Sequence, residues 1–236
     1  MSKTASHGAA GTETPKTKDP VNQPVITLKE SAGAAELGLM TNLTWFEDPR
    51  RLGFSLARYK FVSKMLSGRK SALEVGCGDG FCSRVVKQEV EKLTVTDYDP
   101  VFIADIERRM DPQWKIEART HDILSGPVPG SFDAIYSLDV MEHIPEAQDG
   151  TFLENIKASL TEHGVVIIGM PSLESQAYAS PDSRAGHINC KTGSDLKRVM
   201  EVHFHNVFLF SMNDEVVHTG YAKMAHYLLA LAIGKK

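Results

Sequence analysis

Residues 73–80 read Leu-Glu-Val-Gly-Cys-Gly-Asp-Gly, an apolar strand running straight into a turn with glycine at every second position. Glycine at 76, 78 and 80 lets the backbone take up positive φ and pass close to another group with no Cβ in the way. The stretch that follows, 81–88, reads as a helix, and the first N–H groups of a helix have no partner inside it. Strand, glycine turn and helix open a βα unit, and the pattern repeats. Strands are expected at 92–96, 114–119, 132–137 and 164–169, with helices at 101–110 and 150–160 between them. Such alternation predicts an α/β fold: a Rossmann-like, doubly wound, seven-stranded sheet, mostly parallel. After Pro171 the pattern changes to a polar loop (172–189), a helix near 192–201 and two late strands near 207–211 and 224–233. A short connection between those strands implies an antiparallel strand at the C-terminal edge.

The rest of the chain divides around this alternation. Residues 1–24 are rich in Ser, Thr, Lys, Gly and Pro and too poor in large apolar side chains to offset ordering entropy, so a disordered tail is expected. Residues 25–67 read as an N-terminal cover segment followed by an amphipathic helix over 51–67, and 68–236 as the main domain. A net charge of -4 supplies no positive field to hold DNA or RNA, so a small-molecule partner is favoured over a nucleic acid. Cys77, Cys82 and Cys190 are an odd, scattered set that suits neither a disulfide framework nor a structural zinc site. The longest apolar run, 227–233, falls far short of the roughly 20 residues that cross a bilayer. With no apolar leader near the N-terminus, a cytoplasmic protein without membrane contact is the expectation. Nothing in the pattern indicates an oligomeric state.

A second acid strengthens the reading of the glycine turn. Asp97 ends the second strand about 20 residues on, where a nucleoside ribose would present its hydroxyls. The turn is G-x-G-x-G, whereas nicotinamide-binding turns usually read G-x-G-x-x-G. Two further segments follow in order: His121-Asp122-Ile123 after the third strand, and Phe132 to Ser137 leading into Met141-Glu142-His143-Ile144. With these four segments the chain resembles the class I S-adenosylmethionine-dependent methyltransferases, and within them the small-molecule branch similar to ubiquinone-biosynthesis O-methyltransferases. The resemblance covers about 58–171. It implies that Gly76, Cys77, Gly78 and Gly80 flank the methionine part of S-adenosylmethionine and that Asp97 binds the ribose. It further implies that Tyr98 lies against the adenine, that Asp122 and Ile123 meet its edge, and that Ser137 and Leu138 lie beside the sulfonium. Glu74, in such a family, orders the glycine loop and reaches the cofactor's amino group through water.

Methyl transfer to a hydroxyl requires loss of a proton, and histidine titrates in the range where a general base works best. His143, just after the fourth strand, and His187, in the loop after the fifth, can both reach the carboxyl edge of the sheet. These two are the candidate catalytic bases. Trp45, Arg58 and Tyr59 precede the cofactor segments and are candidates to wall the acceptor pocket. No metal is assigned, because a lone Glu142-His143 pair offers too few ligands. His203 and His205 are read as structural residues on a late strand. Methylation of nitrogen or carbon, a non-catalytic S-adenosylmethionine-binding protein, and a nicotinamide-dependent oxidoreductase remain as alternatives to O-methylation.

Overall fold

A computed structural model describes residues 14–236 of the chain. Two compact units are present, Met1–Glu36 and Leu37–Lys236. The first contains a 3-10 turn, Pro20–Asn22, whose Val21 N–H is capped by the Asp19 side chain, and helix α1, Gln23–Ala32. Gly33, at φ 78°, ends α1. Of the tail expected over 1–24, residues 1–13 lie outside the described residues, and helical structure begins by Pro20.

The second unit opens with helices α2 (Leu39–Glu47) and α3 (Arg50–Met65). Alternation then follows: β1 (Ser71–Val75), α4 (Ser83–Lys87), β2 (Lys92–Asp97), α5 (Pro100–Arg109), β3 (Glu117–Thr120), β4 (Phe132–Leu138), α6 (Asp149–Ser159) and β5 (Leu160–Pro171). The chain ends with α7 (Pro181–Gly186), α8 (Gly193–His203), β6 (Phe204–Asn213), β7 (Val216–His218) and β8 (Tyr227–Lys235). The sheet order is β3-β2-β1-β4-β5-β8-β6-β7. The first five strands pair in parallel, while β8 runs antiparallel to both β5 and β6.

The doubly wound, mostly parallel sheet is therefore as expected, with eight strands instead of seven. The additional strand is β7, a three-residue hairpin return from β6, too short to carry a readable alternation. The antiparallel strand β8 lies inside the sheet, between β5 and β6. Its run from Tyr227 to Ala230 is buried throughout, and a strand without polar alternation needs cover on both faces.

Each face of the sheet has its own core. Leu73 and Val75 of β1 and Ile135 of β4 pack with Phe152, Leu153 and Ile156 of α6 and with Leu196 and Met200 of α8. On the opposite face Ala72, Ala134 and Tyr136 pack with Val62 of α3, Val86 of α4 and Ile103 and Ile106 of α5. Period-two alternation along β1 and β4 assigns these neighbours to opposite sides.

Two local expectations change. The third strand starts at Glu117 and not at 114, because Asp111 caps a 3-10 turn over Pro112–Trp114. His203 and His205 do not share a strand: His203 is the last residue of α8, buried, with Nδ1 2.8 Å from the Glu154 carboxylate, whereas His205 is exposed on β6.

Phe152 is fully buried at the centre of the α6 face. Phe152→Ala should lower unfolding free energy by about 3–5 kcal/mol in urea titrations, and a loss below about 1 kcal/mol would contradict this packing.

Candidate active site at the carboxyl edge of the sheet

The glycine turn is held by the end of β2. Gly76 and Cys77 both donate their N–H groups to the Thr96 carbonyl, at 2.8 and 3.0 Å, and Gly78 N–H donates to Asp97 Oδ2 at 2.9 Å. Three successive N–H groups thus point the same way, which demands positive φ; Gly76, Gly78 and Gly80 have φ of 75°, 52° and 62°. A Cβ on Gly76 would lie 2.2 Å from Val140 Cγ2, so a side chain is excluded by space as well as by conformation. Asp97 Oδ1 accepts from Asp99 N–H at 3.0 Å, and the buried carboxylate keeps lone pairs for hydroxyl donors.

Helix α2 closes over this turn. Asp79 acts as a cap from outside the helix: its Oδ2 accepts from Thr41 N–H at 2.6 Å and its Oδ1 from the Thr41 hydroxyl at 3.2 Å. Asp105 Oδ2 stands 3.4 Å from Leu39 N. Two carboxylates thus serve the orphan N–H groups and positive end of α2. Gly38, the residue before the helix, leaves no room for a Cβ, which would fall 2.3 Å from Asp79 Cγ. Between α2, α3 and the turn lies a cleft of about 160 Å³ lined by Met40, Thr41, Tyr59, Gly76, Cys77, Gly78, Asp79, Leu138 and Asp139 among others.

Beneath the turn, Glu74 is fully buried and accepts from the Tyr59 and Tyr136 hydroxyls, each at 2.6 Å. Burial outweighs these hydrogen bonds and pushes its carboxyl up to about 7. Beside the cleft, Asp139 adopts φ 57°, unusual for a residue with a side chain, and both its oxygens accept from Arg58 Nη1, at 2.7 and 2.9 Å. The Arg58 guanidinium also lies 3.8 Å over the Tyr227 ring.

Not every expected residue lines the cleft. Gly76, Cys77, Gly78, Leu138 and Tyr59 do. Glu74 lies behind it, hydrogen-bonded to Tyr59, and Arg58 reaches it through Asp139. Ser137 is turned away, its hydroxyl 2.8 Å from the Val75 carbonyl, and Trp45 lies on an exposed part of α2. Asp97, Tyr98, Asp122 and Ile123 follow the edge towards β3, tied together by His121 N–H on the Asp97 carbonyl at 2.9 Å. Tyr98 and Asp122 are exposed there, while Ile123 is buried. Met40, Thr41, Asp79 and Asp139 went unrecognised in the sequence. For Met40 and Thr41 the signal was the apolar content of 37–47, which does not specify a docking partner, while Asp79 and Asp139 sit within or just after the segments already read.

His143 and His187, 44 positions apart in sequence, meet with ring centroids 5.1 Å apart. His143 Nδ1 lies 2.9 Å from the Gly186 carbonyl and His187 Nδ1 3.0 Å from Gln176 Oε1. Burial, and secondly the neighbouring His143, hold the His187 pKa below its ordinary value, so its neutral form is favoured. Glu142 joins them, one ligand atom from each of the three residues lying within 4.8 Å of the others. The Glu142-His143 pair, too few ligands in the linear order, is joined by His187 through the topology.

An open α/β sheet with a glycine turn after β1 and an acid at the end of β2 defines a nucleoside-binding class, its ligand crevice outside the carboxyl ends of the strands. Residues 72–164 match the family model described as a methyltransferase domain. A ubiquinone biosynthesis O-methyltransferase from Xylella fastidiosa is 30% identical over 96 residues, 38% of this chain and 38% of that protein. The chain thus spans about two fifths of the curated relatives it matches. The N-methyltransferase NodS from Bradyrhizobium japonicum WM9, solved with S-adenosyl-l-homocysteine, has a TM-score of 0.57 at 19% identity, covering 80% of this chain and 89% of that one. A TehB-like SAM-dependent methyltransferase from Corynebacterium glutamicum gives a TM-score of 0.61 at 19% identity, covering 83% and 97%. The fold is thus the one these methyltransferases share, and the methyltransferase-domain match covers the winding from β1 to the start of β5. No described helix is long and apolar enough to cross a membrane.

The Glu74 carboxyl carries a testable consequence. Its folded pKa of about 7 lies above the ordinary value of 4.5, so the native state binds the extra proton between those limits. Stability therefore falls as pH rises through that window, by a few kcal/mol at most for this one group. Urea titrations between pH 4.5 and 7 should show wild type losing stability relative to Glu74→Gln as pH rises. Parallel curves for the two proteins would refute a raised carboxyl.

Proposed function

We propose that the chain transfers a methyl group from S-adenosylmethionine to a small-molecule acceptor, with a hydroxyl oxygen as the favoured receiving atom. The observation that carries this reading is the joint geometry of the turn and Asp97: positive-φ glycines at 76, 78 and 80, bound to the strand that ends in the acid. Names of relatives support both oxygen and nitrogen acceptors, and the shared segment with the O-methyltransferases favours oxygen.

The residues fit such a ligand chemically. Gly76 and Gly78 bring side-chain-free backbone to the cleft for the methionine part, Asp97 retains acceptor capacity for ribose hydroxyls, and the exposed Tyr98 and Asp122 border the path towards an adenine. In volume, the cleft of about 160 Å³ is smaller than the ~300 Å³ at which ligand pockets begin. Met40 accounts for part of the shortfall, since its sulfur lies 2.7 Å from where a Cβ of Gly78 would stand.

When bound, S-adenosylmethionine supplies a methyl group on a positively charged sulfur, and the electron pair of that C–S bond returns to sulfur as the acceptor oxygen takes the carbon. The chain's own task is alignment, which alone supplies much of the acceleration of a bimolecular transfer. Tyr59, Leu138 and Asp139 wall the cleft, with Asp139 fixed by Arg58. The hydroxyl proton must leave as the O–C bond forms. His143 and His187 are the candidate acceptors, with His187 kept in the neutral form a base requires.

Calorimetric titration with S-adenosylhomocysteine tests the reading. Binding well below millimolar is expected, with Asp97→Ala weaker by about 10-fold or more, as loss of hydrogen bonds to a charged group implies. Failure to bind would remove the proposal. Binding without S-adenosylhomocysteine release from S-adenosylmethionine across pools of phenols, sugars and amines would instead favour a non-catalytic binding protein.

A further inference from the structure

The two edges of the sheet are finished differently. At one end β3 is four residues long, and its Arg119 pairs with the Glu117 carboxylate at 2.6 Å. Arg119 also donates to the Pro129 carbonyl at 2.8 Å, so a loop is tied to that edge. Short length, charge and cover are the usual means of keeping an edge strand from pairing with another chain. At the other end β7 pairs only with residues 211–213 of β6. Among the described residues no strand lies beside 204–210 of β6 on the side away from β8. At the usual rise this run extends over ~23 Å, and on that side its N–H and C=O groups have no ladder partner.

Neither shortness nor charge protects this run. Residues 204–213 read Phe-His-Asn-Val-Phe-Leu-Phe-Ser-Met-Asn, without Asp, Glu, Lys, Arg or Pro. An edge of this length and composition is a template for a further strand. An apolar flank adjoins it. Val207 and Leu209 turn to the core beneath α8, whereas Phe210 turns to the α3 face, where Phe61 meets it with ring centroids 5.0 Å apart. Phe208 shares that face and is 51% exposed. Its cross-strand partner Leu231, and Ile233 opposite Asn206, are likewise only partly buried.

Charge decides what can pair here. In a two-fold pair the side chains near the axis meet their own kind, so any ionised residue there would face a like charge. The chain carries a net charge of -4, and a strand without ionised groups is where two copies approach free of that penalty. A different partner would be selected by charges along the edge, and this run carries none.

We propose that the chain forms a two-fold symmetric dimer in which β6 pairs antiparallel with β6 of a second copy, joining two eight-stranded sheets into one. With the axis at Val207, position 204 opposes 210 and position 206 opposes 208. Phe204 then meets Phe210 of the second copy, and Asn206 meets Phe208. The two Phe208 side chains become diagonal neighbours ~7–8 Å apart, within reach of aromatic rings. Because the β3 edge is blocked, the pairing closes at two copies and does not continue into a filament. Three strands separate β6 from β1, so the dimer stands independently of the proposed methyl transfer.

Sedimentation equilibrium of the full chain tests this. A mass of twice the 26.0 kDa of one chain is expected at about 10 µM and above, the weak end of the range for interfaces of standard size. Phe208→Lys removes two apolar contacts and sets two ammonium groups across the axis, so association should weaken by at least about 10-fold. The lysine stem still covers Leu231, and the circular dichroism spectrum should remain that of wild type. Phe208→Glu should weaken association to the same extent. An equimolar mixture of the two variants should associate again, because opposite charges then face one another. A wild-type chain that stays at 26.0 kDa up to about 100 µM would overturn the dimer. Undiminished association in both variants, or no recovery in their mixture, would overturn the pairing through β6.

Discussion

The capture of three consecutive turn N–H groups by the end of β2 governs the geometry of everything above it. Gly76 and Cys77 share the Thr96 carbonyl and Gly78 takes the Asp97 carboxylate, so the β1–β2 pairing continues past the last residue of β1. Because these N–H groups turn towards one neighbour, the backbone must enter the left-handed region, and only glycine does so there without strain. The same hydrogen bond places Asp97 beside the turn. A nucleoside that meets both the acid and the glycine wall therefore meets a preformed unit, not two independent contacts.

Polar groups above and below that unit set its cover. Asp79 lies within the turn yet caps α2, so the turn and its lid share a residue, and the Gly38 approach leaves the two backbones close. Below, Glu74 gathers the hydroxyls of Tyr59 and Tyr136 and thereby fixes α3 against β1 and β4. A buried carboxyl pushed up to about 7 opposes folding at neutral pH, and its persistence there is the physical counterpart of a site that needs α3 in register. Arg58, one residue before Tyr59, extends the order to Asp139 and Tyr227. The glycine turn, the helix over it and the Arg58–Asp139 pair are thus coupled through a few polar contacts.

Much of this was legible in the chain. The strand and helix alternation, the G-x-G-x-G turn and Asp97 are local in sequence, and local patterns of period two and 3.6 are what a linear reading detects. Leu138 was expected from the resemblance, and Tyr59 from its place ahead of the cofactor segments; both line the cleft. Trp45, expected there as well, does not line it: its position on the helix decides whether it faces the turn, and α2 presents Met40, Thr41 and Thr44 instead. Ser137 shows the converse, since a hydroxyl at the end of a strand finds a carbonyl on β1 before it can reach a ligand.

By itself the sequence determined the winding of the sheet, the conformation of the glycine turn and the acid that follows it, because each depends on residues within one element or its neighbour. Only the tertiary structure decided which strand lies inside the sheet, which helix covers the turn, and that Glu142, His143 and His187 converge. Those outcomes join segments tens of residues apart through buried hydrogen bonds such as Asn189 to Asp149, whose partners carry no mark in the linear order. Contact across such separations is fixed by packing and by the need to satisfy buried polar atoms, and neither has a period that can be read along the chain.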